Sequence, residues 1–136
     1  MTHIEPHLLW IGHIGDARNA AALMEAGIEA VLQLANEEPG GSLPRDMISL
    51  RVPLQDGPEN NPSQIQFAMR LLIDLLANRR PTLVCCSAGM SRSPALAAVA
   101  LANVEGGHAN DWLRRIQQSV PTDVSPGLWG QLTTPI

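Results

Sequence analysis

The 136-residue chain has no tyrosine and one phenylalanine, Phe67, so no pocket in it can be walled by phenol rings, and a recessed site is expected to be shallow. It also has no block of Lys and Arg, and its formal charge is -4 at pH 7. Nucleic acids and anionic membrane surfaces are held by clustered cations, so neither is an expected partner. Long apolar runs are missing too. Stretches such as Ala95 to Ala102 fall far short of the ~20 residues that span a bilayer. The first residues, Met-Thr-His-Ile-Glu-Pro, make no signal-peptide pattern, and the expected setting is the cytoplasm.

Cysteine is scarce, and the two present, Cys85 and Cys86, are neighbours. A fold-stapling disulfide framework does not use adjacent residues, so the pair reads as free thiols in a reducing compartment. His3, His7, His13 and His108 lack ligand spacing, and no metal site is expected.

What remains is ordinary globular material, 45% hydrophobic and 16% charged, enough to fold alone as a single domain over residues 1–136. Leu8–Ile11 reads as a strand, and Asp16 as the cap of a helix that stops at Gly27. Ile28–Leu34 has the apolar character of a strand covered on both faces. A loop rich in Glu, Pro and Gly follows from Asn36 to Pro44. Residues 48–54 alternate as a strand does, and the chain turns at Asp56-Gly57-Pro58.

Asn61-Pro62-Ser63-Gln64 is a helix start, with Asn as cap and Gln placed for a capping box. Thr82–Cys85 suits a central strand. It leads through Cys86–Arg92 into an Ala-rich helix from about Ser93 to Ala102. A last helix is expected from about His108 to Gln118. Strands alternating with helices imply an α/β fold, a three-layer sandwich whose central, mostly parallel sheet is flanked by helices.

The segment Cys86-Ser87-Ala88-Gly89-Met90-Ser91-Arg92-Ser93 carries the chemistry. A phosphate monoester is a dianion, and holding it needs converging N–H donors, a fixed cation and no close carboxylate. The segment itself has no Asp or Glu. Ser87, Ala88, Gly89, Met90 and Ser91 can curl so that their amides point inward, with Gly89 free to take a conformation barred to most residues. Arg92 supplies a planar fork matched to phosphate oxygens, which lysine cannot. The positive end of the following helix favours a thiolate at Cys86 as well as the bound anion. Ser93 is placed to hydrogen-bond the sulfur, first as thiolate and later as leaving group.

With these residues the chain resembles the dual-specificity branch of the cysteine-dependent protein tyrosine phosphatase superfamily. Its signature is His-Cys, five residues, Arg, then Ser or Thr. The resemblance extends to His7–Gly12, Gly27–Leu32 and Trp129–Leu132. It implies a phosphatase-like fold, a phosphocysteine intermediate and a phosphate-binding loop (P-loop), with no cofactor or metal. The substrate is expected to be a phosphorylated protein or, second, a small phosphomonoester, and the chain to act as a monomer. The family's general acid is an Asp on the loop after the strand preceding the long helix, and Asp56 matches it. Asp46, Glu59, Asp74 and Asp123 are its rivals.

One departure stands beside the nucleophile, where the family's His is Cys85. That His helps keep the thiol acidic, so weaker activity or activity shifted upward in pH is expected. Cys85 can be buried packing or a redox partner of Cys86, and the opposite facing of adjacent strand residues favours packing. The runner-up function is a pseudophosphatase that binds phosphorylated partners without turnover. A rhodanese-type sulfurtransferase is a third reading, disfavoured because that loop is usually shorter.

Overall fold

The computed structural model describes residues 1–40 and 42–134. The chain begins with strands β1 (Thr2–His3) and β2 (Leu9–His13), then short helices α1 (Ile14–Ala17) and α2 (Ala20–Glu25). Strands β3 (Ala30–Ala35) and β4 (Ile48–Leu54) precede helix α3 (Pro62–Ala77). Strand β5 (Thr82–Cys86) runs into helix α4 (Arg92–Glu105), and α5 (Ala109–Gln117) and α6 (Pro126–Thr133) close the chain. The sheet order is β1-β2-β5-β3-β4, parallel except where β1 meets β2. This is the expected α/β sandwich.

Every residue of β3 and β5 is buried, as their continuous apolar runs require for strands covered on both faces. Alternation along β5 divides the core. Leu83 and Cys85 point to the side of α1 and α2, where they pack with Leu23, Ile28 and Val31. Val84 and Cys86 face the larger core, with Leu32, Leu34, Leu72 and Leu96. Residues Arg92 to Leu101 of α4 are all buried, and the run of alanines lets this helix lie deep among its neighbours with its N-terminus at the end of β5.

Local chemistry departs from expectation at three points. Asp16 is not a cap. His13 caps α1, and Asp16, at the third helical position, accepts from the His13 N–H in a capping box. A second cap, Asn19, restarts the chain as α2, which ends before Gly27 at φ +76°. Gln64 completes no capping box. Asn61 does cap α3, but the Gln64 amide donates instead to the Pro53 carbonyl at 3.4 Å. Strand β1 and helix α6 were not anticipated, although Ser125-Pro126 is a cap followed by a first-turn proline.

Candidate active site

In a parallel sheet the loops leaving the carboxyl ends of the strands gather along one edge, and ligands bind in the crevice they form. Here the loops after β3, β4 and β5 meet there. They enclose a cavity of about 300 Å³ whose lining includes Glu37, Asp56, Cys86, Met90, Arg92 and Asp123. Among the described residues no aromatic ring lines it, and Met90 at its rim is 40% exposed, which agrees with a pocket lacking an aromatic wall. A larger cavity of about 460 Å³ between α3, α4 and α6 is mostly apolar, and among the described residues neither a cysteine nor a carboxylate lines it.

Cys86 sits buried at the end of β5, paired in the ladder with His13. After it the backbone curls, and among the described residues none of the N–H groups of Ser87 to Ser91 donates to another protein atom. Arg92 and Ser93 open α4, whose first-turn N–H groups have no partner within the helix. Unsatisfied donors at a helix N-terminus form an anion-binding cradle. Gly89 allows the curl with φ +74°, and a Cβ there would come within 2.7 Å of the Gly12 carbonyl oxygen. Gly89→Ala should therefore displace the loop from β2, raising KM for aryl phosphate and lowering stability by about 1–3 kcal/mol in thermal denaturation.

Arg92 is buried, and its guanidinium is held along one edge. Nη1 and Nη2 donate to the two carboxylate oxygens of Glu37 at 2.6 and 2.9 Å, and Nη1 also donates to the Leu54 carbonyl at 2.9 Å. The other edge is unpaired, because Nε is buried with no partner among the described residues and Nη2 has a second N–H. Two parallel donors on that edge match two oxygens of a phosphate. Burial is the largest single influence and works against the charge on Arg92, but the hydrogen bond and charge of Glu37, with Cys86 and Asp56 nearby, together outweigh it and its pKa is raised.

The same bond, against some desolvation, lowers Glu37 from 4.5 to about 2. A carboxyl with a depressed folded-state pKa stabilises the protein above its unfolded value and loses that contribution as pH falls through the folded one. The Glu37 contribution is thus complete above about pH 4.5 and lost on the way to pH 2. Because Glu37 is half-exposed, it is worth on the order of 1 kcal/mol or less. Acid titration of Tm should show a step in this window for the wild type that Glu37→Gln lacks.

The expected site residues fall together. Asp56 lines the cavity and accepts from the Ser91 hydroxyl at 2.5 Å, while Ser91 in turn accepts from the Ser125 N–H at 2.9 Å. Of the rivals, Asp123 also lines the cavity, Asp74 lies on α3, and Asp46 and Glu59 are not among the lining residues. The Ser93 hydroxyl is fully buried and unpartnered among the described residues, so it makes no bond to the Cys86 sulfur here. Cys85 faces the other core, and burial, with Cys86 and Asp16 nearby, pushes its thiol up to about 12.

The loop itself carries no carboxylate, yet the folded site does. Glu37 grips Arg92, Glu38 accepts from the Ser87 hydroxyl at 3.2 Å, and Asp123 faces the opening. Glu37, Glu38 and Ser125 escaped the sequence reading because long-range pairing carries no local motif, and Asp123 entered it only as a rival for the general acid. The available signal was position, since Asn36 to Glu38 directly follow a strand that ends at the crevice.

Known proteins carry the same arrangement of elements. DUSP15 superposes with a TM-score of 0.80 at 26% identity, covering 97% of this chain and 84% of its own. A mouse dual-specificity phosphatase solved with zinc tungstate gives 0.83 at 25% identity, covering 96% and 82%. Human DUSP28 gives 0.84 at 23% identity, covering 97% and 92%, and shows the fold. No curated protein matches by sequence. The profile of the family described as "Polymorphic toxin system, DSP-PTPase phosphatase" matches residues 13–105. That span runs from the end of β2 through α4 and includes the loops after β3, β4 and β5, though not the connection between α5 and α6 that brings Asp123 to the cavity. The chain therefore belongs to the DSP-PTPase phosphatase family of polymorphic toxin systems and is a cysteine-dependent protein phosphatase of the dual-specificity type.

Proposed function

We propose that the whole chain is one catalytic domain, acting as a cytoplasmic monomer, that hydrolyses phosphate monoesters on tyrosine, serine or threonine through a phosphocysteine intermediate. The observation that carries this reading is that Cys86, loop residues whose amides have no protein partner and an Arg92 whose Nε is unpaired line one cavity. The cytoplasmic setting draws support from the two free thiols. No observation favours a module that binds without turnover.

The phosphate occupies the cradle of the Ser87, Ala88, Gly89, Met90 and Ser91 amides, with two oxygens on Arg92 Nε and Nη2. The Cys86 thiolate attacks phosphorus from below as the bond to the leaving oxygen breaks. Asp56 gives that oxygen a proton. Its Oδ1 is engaged by Ser91, which leaves Oδ2 to face the departing group. Water then attacks the phosphocysteine and gives its proton to Asp56. The S–P bond breaks, phosphate leaves, and the Ser93 hydroxyl, with no other partner, turns to the sulfur as it regains its charge. Charge spreading over the equatorial oxygens strengthens the bonds to Arg92 and the amides in the transition state.

Asp56→Asn tests the acid. Loss of a general acid costs about 10²- to 10⁴-fold, and the loss grows as the leaving group becomes more basic. In kcat/KM, which reports only the steps through loss of the leaving group, an alkyl phosphate should suffer that full loss, whereas 4-nitrophenyl phosphate should change little. An equal effect on both would move the role to Asp123.

A further inference from the structure

The loop that carries Asp56 is pinned at its far end as well as at Ser91. Asn60 is 8% exposed, and all of its polar groups are used. Its side-chain oxygen accepts from the Gln55 N–H at 2.7 Å, and its side-chain nitrogen donates to the Gln55 carbonyl at 3.0 Å and the Gly57 carbonyl at 3.1 Å. One side chain thus ties together the residues on both sides of Asp56.

Asn60 is in turn held by α6. Its backbone N–H and its side-chain amide both donate to Gln131 Oε1, at 3.0 and 3.1 Å, and Gln131 Nε2 donates to the Asn60 carbonyl at 2.7 Å. A second contact on α6 is steric. A Cβ on Gly127 would lie 2.8 to 3.0 Å from the Cδ, Cβ and Cγ atoms of Pro58, closer than real Cβ atoms approach. A rigid proline ring cannot swing aside, so the loop sits where it does because position 127 is glycine.

We propose that Asn60, Gln131 and Gly127 form a clamp that fixes the Asp56 loop against α6, so that the general acid is already in place before substrate binds. These are positioning residues. The inference rests on Asp56 being the acid. A buried polar network satisfied at every atom holds one geometry, because any displacement strands several donors and acceptors at once. Proton transfer needs that geometry, and a misplacement of about 1 Å can cost on the order of 10²-fold.

The test uses Gln131→Glu, which keeps the shape and removes the donor to the Asn60 carbonyl, and Gly127→Ala, which inserts a methyl against Pro58. Alanine is the better helix former, so Gly127→Ala should not lose helix stability, and thermal unfolding checks that both variants are folded. The kcat/KM for an alkyl phosphate should fall about 10- to 100-fold in each, while that for 4-nitrophenyl phosphate stays within about twofold of wild type. Placed on the Asp56→Asn background, neither substitution should lower the alkyl rate further, because residues that act through one group are not additive. Folded variants with both rates unchanged, both rates reduced alike, or full additivity with Asp56→Asn would each overturn the clamp. If Asp56→Asn itself shows no dependence on leaving group, the acid assignment fails instead.

Discussion

Cys86→Ser is expected to abolish turnover, by on the order of 10⁴- to 10⁶-fold in kcat. The replacement is nearly the same size, so the loop keeps its shape, but an alcohol needs a base to become a nucleophile. None is placed for it. The cavity has no histidine in its lining, Asp56 already carries the proton meant for the leaving oxygen when the nucleophile attacks, and Glu37 is committed to Arg92. Binding behaves differently, because the loop amides and the unpaired edge of Arg92 do not depend on the sulfur. Cys86→Ser should therefore still bind tungstate or phosphate within a few-fold of wild type. That separates loss of the nucleophile from loss of the fold. Parallel loss of anion binding and of thermal stability would show that Cys86 serves the core rather than the reaction.

Arg92→Lys should reduce kcat by about 10²- to 10⁴-fold while keeping a positive charge at the site. The reason lies in how many partners the guanidinium serves. It supplies two bonds to Glu37, one to the Leu54 carbonyl and a longer one to Asn36 Oδ1 at 3.4 Å, and still has an Nε and an Nη2 hydrogen free for phosphate. A lysine ammonium has three hydrogens on one nitrogen and cannot meet the carboxylate, the carbonyl and two phosphate oxygens together. The deficit is greatest where charge is greatest, so kcat should fall more than KM rises. Stability should drop by only about 1–2 kcal/mol, because Glu37 is half-exposed and can rehydrate. Retained activity in Arg92→Lys would mean that simple charge suffices and that the two-pronged contact is not used.

The parts of the molecule that could be read from sequence are those governed by local rules. The central strand Thr82–Cys86, the turn at Gly27 and the Asn61 cap each follow from composition or spacing within a few residues. The phosphate-binding loop was legible for the same reason, since a nucleophile, small residues, a glycine at positive φ and an arginine act within one short segment. Asp56 was reached only through the family resemblance, because nothing in its own neighbourhood distinguishes it from a turn residue.

What stayed hidden depends on contacts between distant parts of the chain. Glu37 and Arg92 meet across 55 positions, Ser91 and Asp56 across 35, and Asn60 and Gln131 across 71. Asp16 shows the same limit at short range. It lies where a cap could stand, but His13 ends a strand paired to Cys86 and takes the cap position itself. Cys85, which stands in place of the family's histidine, is packed in the core opposite Cys86 and reaches the site only through the backbone.

The central claim is that a phosphoryl group passes through Cys86. Rapid mixing of enzyme with 4-nitrophenyl phosphate, quenched in acid and followed by mass spectrometry of the peptides, tests it directly. A burst of nitrophenol is expected, matched by one phosphoryl group per enzyme on the peptide holding Cys86 and absent in Cys86→Ser. Turnover with no burst and no modified cysteine, or with the phosphoryl group on another residue, would contradict it.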